Sequence, residues 1–341
     1  MSWLAPALRP AVLVLAVACS RAPAQAADPA PRFPAPGNFD LTLQVGSRSR
    51  TLLVHLPPRF AERGPLPVLL AYHGGGGSAQ GFQKYAGLDA VADREGFGVV
   101  YPDGSGRLGR RLLTWNAGGC CGRAREDRVD DVAFTLRLLA DLARELPLDR
   151  TRIYATGHSN GAMMAYRLAA EAAERIAAIA PVAGAMQLAA FAPARPMPVL
   201  HVHSVDDPRA LYEGGLGPPF PLTRTRVEHN GVEAELARWA ALDGCAAEPK
   251  IVEQRTGPEG GPDAGHTATL LDFSPCTTGA GVRLWKLTGA GHGWPGGPSV
   301  LPERLMGPET RVIEAAEEVW RFVRAFSRPD APPIAELPHG G

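Results

Sequence analysis

Lysine is nearly absent from this 341-residue chain: Lys84, Lys250 and Lys286 stand alone among 35 basic residues. The positive charge is almost all arginine, spread rather than clustered, and 35 acidic residues balance it to a formal net charge of zero. Without a basic patch, binding to nucleic acid or to a membrane surface through bulk charge is a poor reading. The chain also lacks an apolar run of the roughly 18–20 residues that a membrane-spanning helix needs. It shows no internal repeat and no strong linker. Its five cysteines include no C-x-x-C pair, which argues against a four-cysteine zinc site. Neither a P-loop lysine nor the Rossmann glycine spacing is present. Apolar residues, by contrast, make up 45% of the chain. That is enough for a sizeable core and argues against a disordered or collagen-like polymer.

The N-terminus has the pattern of an export signal, with Arg9 and the free amine ahead of a short apolar stretch from Ala11 to Cys19. Two processing sites compete. Ala24-Gln25-Ala26 fits a small-x-small cleavage site, whereas Leu15 to Cys19 resembles a lipobox that would put a lipid anchor on Cys19. The expected organisation is a signal peptide at 1–26, a Pro-rich leader at 27–39, one catalytic domain at 40–326 and a loose tail at 327–341. An extracellular or periplasmic location follows, and export permits disulfides. Cys245 and Cys276 flank a polar Gly/Pro-rich segment, where a bridge would staple a loop.

Past the leader, Leu41–Val45 and Thr51–Leu56 alternate around Gly46-Ser47, which predicts a hairpin. Leu66–Tyr72 is a continuous apolar run, as expected of a strand covered on both faces. Gly98–Tyr101, Ile153–Thr156, Ile176–Val182, Pro198–His203 and Val282–Leu287 repeat that character. Helical spacing runs through Val132, Leu136, Leu139, Ala143 and Leu146, and again through Ile313, Ala316, Trp320 and Val323. Buried strands alternating with amphipathic helices predict an α/β fold, a mostly parallel sheet with helices on both faces.

The sharpest local signal is Gly157-His158-Ser159-Asn160-Gly161, set between a strand and the helical stretch Ala162–Ala170. A serine on a tight strand-to-helix turn is a nucleophile elbow; the simpler reading is a helix N-cap. A serine hydroxyl needs a base, and the base needs a carboxylate to fix its tautomer. With a nucleophile elbow the chain order is serine, then Asp or Glu, then histidine, so the acid lies past a later strand, at Asp206 or Asp207. Neighbouring side chains point apart, so one of the two faces the base; Asp207 is favoured, with Asp206 forming the turn. His292, in the glycine-rich loop after Val282–Leu287, is the expected base, ahead of His229 and His266. His201 and His203 sit on a strand, where packing is the default role. The glycines after His73 offer an oxyanion amide, taken as that of Gly75, to be joined by the amide of Asn160.

These residues resemble the exported esterase family that groups polyhydroxybutyrate depolymerases with feruloyl and acetylxylan esterases on an α/β-hydrolase fold. The resemblance is carried by His73-Gly-Gly-Gly-Gly-Ser78, Tyr101-Pro-Asp-Gly104, Trp115-Asn-Ala-Gly-Gly-Cys-Cys-Gly122, Val129-Asp-Asp-Val132, Gly157–Met164 and Gly291-His-Gly-Trp-Pro-Gly-Gly297. It implies Ser159 as nucleophile, Asp207 as acid and His292 as base. Two departures stand out. The acid loop reads His203-Ser-Val-Asp-Asp-Pro208 rather than a form like His-Gly-Thr-Ala-Asp-Pro, and a cysteine often found before Pro193 is missing. The second leaves Cys120 and Cys121 as a vicinal bridge or as free thiols.

The reading that follows is a serine carboxylic-ester hydrolase acting on a polyester or acyl ester, with no metal or organic cofactor called for. Feruloyl or acetylxylan ester cleavage is the alternative. A serine peptidase, or a non-catalytic polymer-binding envelope protein, is the more distant one. Trp115, Trp294 and Tyr212 are candidate pocket walls, and Asp130 and Asp131 candidate caps of the helix that follows.

Overall fold

The computed structural model describes Met1 and residues 32–220, 226–299 and 301–334. The expected signal peptide, its lipobox and Cys19 lie outside the described residues. The fold described here is that of the unit beginning at Phe33.

The strands are β1 (Gly37–Val45), β2 (Arg48–Leu56), β3 (Leu66–Tyr72), β4 (Gly98–Pro102), β5 (Leu148–His158), β6 (Ala178–Val182), β7 (Val199–Ser204), the two-residue pair β8 (Gly215–Leu216) and β9 (Glu228–His229), then β10 (Lys250–Thr256), β11 (Thr267–Asp272) and β12 (Val282–Thr288). The helices are α1 (Ala79–Ala86), α2 (Leu88–Glu95), α3 (Gly122–Glu126), α4 (Asp131–Leu142), α5 (Asn160–Glu171), α6 (Val232–Leu242), α7 (Glu303–Met306) and α8 (Ala315–Val323). No helix among the described residues is long and apolar enough to cross a membrane.

Ten strands form one sheet in the order β1-β2-β4-β3-β5-β6-β7-β12-β11-β10. From β4 to β12 every neighbouring pair is parallel, and antiparallel strands finish both edges. Side chains alternate across this sheet. Leu66, Val68, Leu70 and Tyr72 of β3 enter a core shared with α4, α5 and α6. Leu69 and Ala71 enter the opposite core, shared with α1, α2 and α8. A fully covered strand must be apolar at every position, and all of β3 is buried. Because β3, β5, β7 and β12 run the same way, the loops after them open on one edge of the sheet, where α/β proteins place their sites.

The structure adds to these expectations and corrects the reading of Asp131. Val282–Thr288 is the last strand in chain order, and the hairpin β10–β11 extends the sheet beyond it. Ordered packing begins before residue 40, since β1 starts at Gly37 and the Phe33 ring meets Phe39 edge-on at 5.1 Å. The tail is docked over its described part: the Arg328 amide donates to the Thr151 carbonyl, and Arg175 donates to the carbonyls of Pro332 and Pro333. Asp130 caps α4, accepting from the Ala133 amide at 2.8 Å. Asp131 does not cap; it is fully buried, ion-paired with Arg50 at 2.7 Å and accepting from the Asn116 amide at 2.8 Å. A disulfide joins Cys245 to Cys276, fastening the end of α6 to the turn after β11, and Cys120 is joined to Cys121.

Candidate active site

The turn between β5 and α5 holds Ser159 at φ 56°, ψ −118°, a left-handed conformation that side chains rarely adopt. Glycines stand two residues away on either side, at 157 and 161, because the chain is crowded there. A Cβ on Gly157 would run into the Gly161 and Tyr72 carbonyls, and one on Gly161 into the carbonyls of Tyr72 and His73. The Ser159 amide donates to the Val182 carbonyl at 2.9 Å, which pins the turn to β6. Ser159 occupies the N-cap position, but its side chain makes no capping bond. The hydroxyl instead faces an imidazole.

That imidazole is His292. Its Nδ1–H donates to the Asp207 carboxylate at 2.7 Å, and carboxylates only accept, so the tautomer is fixed. Nε2 is then the acceptor for the Ser159 hydroxyl at 2.8 Å. His292 is itself positioned by its amide, which donates to the Met306 carbonyl at 2.5 Å, and by Gly291, whose amide donates to the Pro308 carbonyl at 2.7 Å. Asp207 has both oxygens occupied: Oδ1 accepts the Arg209 and Ala210 amides at 2.7 and 2.8 Å. Burial alone would raise its pKa; the His292 interaction and the His203 and His292 hydrogen bonds outweigh burial and hold the carboxyl well below the usual range. Asp206 faces elsewhere and accepts from the Gly289 amide at 2.7 Å. His229 sits in the β8–β9 ribbon, and His266 lies 3.4 Å from Asp263.

The glycine loop after β3 closes the other side. A Cβ on Gly75 would lie 3.6 Å from the Asn160 Cβ, and one on Gly74 would lie 3.5 Å from the Ser159 Cβ. This stretch of backbone therefore borders the serine directly. Asn160 opens α5, so its amide has no partner one turn back in the helix. The loop is stiffened from below. The Gly76 amide donates to the Leu113 carbonyl at 2.8 Å, and the Gly104 amide to His73 Nε2 at 3.0 Å. Burial lowers the His73 pKa to about 4, so it stays neutral and keeps that acceptor. His158, 4.9 Å from His292 between ring centres, is lowered to about 3 by burial and then by His292, so it adds no charge beside the imidazole.

The three candidate wall residues are framework. Trp115 is fully buried; its indole donates to the His73 carbonyl at 2.9 Å. Its backbone amide and carbonyl pair with the Asn160 side chain at 2.7 and 3.1 Å. Trp294 is buried against Phe82 and donates to the Ala86 carbonyl at 3.0 Å. Tyr212 is buried too, and its hydroxyl donates to Glu233 at 2.7 Å. A side chain closed off from solvent on all sides cannot line an open pocket. Sequence reasoning also missed the buried Arg50–Asp131 pair and the bond between His203 and Asp207. Both depend on contacts between distant segments.

A family model described as Esterase PHB depolymerase matches residues 51–221. A protein of Nocardia uniformis subsp. tsuyamanensis named as an esterase, NocK, is 30% identical over 92% of this chain and 96% of its own length. Feruloyl esterase B of Piromyces equi is also 30% identical, over 82% of this chain; the match spans 46% of that longer protein. Among solved structures, an acetyl xylan esterase from Aspergillus awamori superposes with a TM-score of 0.50 at 14% identity. It covers 84% of this chain and 99% of its own, a likeness of fold.

Proposed function

Because the chain belongs to the Esterase PHB depolymerase family and is a carboxylic-ester hydrolase, we propose that it works through an acyl-enzyme on Ser159, with His292 as base and Asp207 as the acid that orients it. The observation that carries this reading is the unbroken line of hydrogen bonds from Ser159 Oγ through His292 to Asp207. In the first half-reaction Ser159 Oγ attacks the ester carbonyl while His292 Nε2 takes its proton. The amides of Gly75 and Asn160 receive the oxyanion, each such donor contributing about 3 kcal/mol to lowering the barrier. His292 then hands the proton to the leaving alcohol. Water repeats the sequence on the acyl-enzyme and releases the acid.

For substrate, the reading is a polyester or an acyl ester with an apolar body. Exposed Leu108 and Leu112 lie on the loop bonded to Gly76, and exposed Leu305 is next to the Met306 carbonyl that holds His292. A feruloyl ester is the second reading, favoured by the likeness to feruloyl esterase B. Export to the periplasm or the medium, with or without a lipid on Cys19, completes the proposal.

A substrate panel tests it: p-nitrophenyl esters, methyl ferulate, acetylated xylan and amorphous polyhydroxybutyrate, each beside Ser159→Ala. Clearing of the polyester above the mutant supports depolymerisation, and release of ferulate or acetate moves the assignment to polysaccharide side chains. Silence on every ester contradicts the proposal.

A further inference from the structure

Behind the proposed acid the structure holds a second line of hydrogen bonds. His203 Nε2 lies 2.8 Å from the Ala210 carbonyl and 3.2 Å from Asp207 Oδ2, the oxygen that accepts His292. Both neighbours only accept, so Nε2 carries the hydrogen and is shared between them. In the neutral ring Nδ1 is an acceptor, and it lies 2.9 Å from His201 Nε2. His201 must donate there, which leaves its own Nδ1 to accept the Tyr166 hydroxyl at 2.8 Å. One consistent assignment of hydrogens thus runs from Tyr166 through His201 and His203 to Asp207 and joins the line ending at Ser159.

We propose that His203 is a positioning residue of the active site, a neutral Nε2–H donor that fixes the Asp207 carboxylate against His292, with His201 and Tyr166 setting its tautomer. The proposal rests on Asp207 being the acid. The surroundings favour it. His201 and His203 are closed off from solvent, and Tyr166 nearly so. Burial holds the His201 pKa well below its ordinary value, so that ring stays neutral. Burial, then Glu235, pushes the Tyr166 hydroxyl up, so it keeps its hydrogen to donate. Tyr212 meets the His203 ring edge-on at 5.8 Å, and His229 is held neutral by burial. Asp207 is therefore the one charged group that His203 touches among those named here.

A carboxylate that loses a donor becomes a stronger acceptor for its other partner. Removing the His203 donor should therefore raise the pKa of His292 and move the acid limb of kcat/KM toward higher pH. It should also loosen the carboxylate, and a small misplacement of a catalytic group costs up to about 100-fold in rate.

The test is a pH profile of ester hydrolysis for wild type, His203→Phe, His203→Gln and Asp207→Asn. The expected result is a kcat lowered about 10- to 100-fold in His203→Phe, with KM nearly unchanged and the acid limb raised by about one pH unit. Glutamine, whose amide can still donate, restores most of both. An unmoved limb, or equal losses in the two His203 variants, would overturn the proposal. Full turnover in Asp207→Asn would overturn the assignment of the acid and this proposal together. Loss in Asp207→Asn alone, with His203→Phe like wild type, would overturn only the role of His203. Should His203→Phe not fold, nitrogen NMR of the histidine rings in the wild-type protein decides: neutral Nε2–H rings at His201 and His203 are expected, and a charged or Nδ1–H ring at His203 contradicts the proposal.

Discussion

Asp206 and Asp207 are neighbours in sequence, yet they hold different points of one loop: Asp206 accepts the Gly289 amide and Asp207 accepts the His292 imidazole. The first is a brace for the turn after β12, and the second is the acid of the proposed mechanism. The pair separates two losses that mutation should tell apart.

Asp207→Asn should lower kcat by about ten-thousand-fold, because an amide in its place favours the wrong tautomer of His292. Asp206→Asn should cost less than about tenfold, since the amide oxygen can still accept the Gly289 amide. Steady-state hydrolysis of a p-nitrophenyl ester by both variants checks this. Equal losses would show that the acid loop is misassigned.

The glycines at the elbow and in the loop after β3 should behave differently. Gly161→Ala puts a methyl against two backbone carbonyls of β3 and its loop. It should destabilise the fold by about 3 kcal/mol or more, as overpacking does where neither side can move. Gly75→Ala meets only ordinary contacts at 3.6 Å, so it should fold. Urea denaturation midpoints should fall sharply for the first and little for the second.

How much of this was legible in the sequence follows from what each feature depends on. The elbow depends on five consecutive residues and their flanking strand and helix, and β3 declares itself because a doubly covered strand must be apolar throughout. The strand β10 was not legible: Ile251 and Val252 are exposed on it, and its alternation is weak. Asp131 looks like a cap from its neighbours, and only the distant Arg50 shows it to be a buried ion-pair partner. His203 looks like core on a strand, and its bond to Asp207 exists only once the turn after β7 has closed. The Pro-rich tail gives no periodic signal, and it docks through backbone carbonyls that any sequence carries.

The Cys245–Cys276 bridge should contribute to stability by restricting the unfolded chain. Its partners are 31 positions apart, which in the chain-entropy account corresponds to about 3–4 kcal/mol. The double variant Cys245→Ser, Cys276→Ser should show that loss in chemical denaturation, while kcat stays near wild type. An unchanged midpoint would contradict it.

Asp243 should tilt stability with pH. Burial raises its pKa to about 7, against about 3.9 in an unfolded chain. Between those values the folded protein holds a proton that the unfolded chain has released. Stability is therefore greatest below the lower value and declines as pH climbs toward the upper one. Asp243→Asn removes this dependence, so the drop in urea midpoint between pH 5 and pH 7.5 should be smaller in the variant. The same drop in both proteins would contradict the assignment.

The central claim is that Ser159 carries the acyl group. Mass spectrometry of the intact protein after treatment with a fluorophosphonate tests it most directly, followed by peptide mapping and by the same treatment of Ser159→Ala. The account predicts one adduct per chain, located on the peptide containing Ser159, with loss of esterase activity in proportion and no adduct on the alanine variant. An adduct elsewhere, or full ester turnover by Ser159→Ala, would contradict it.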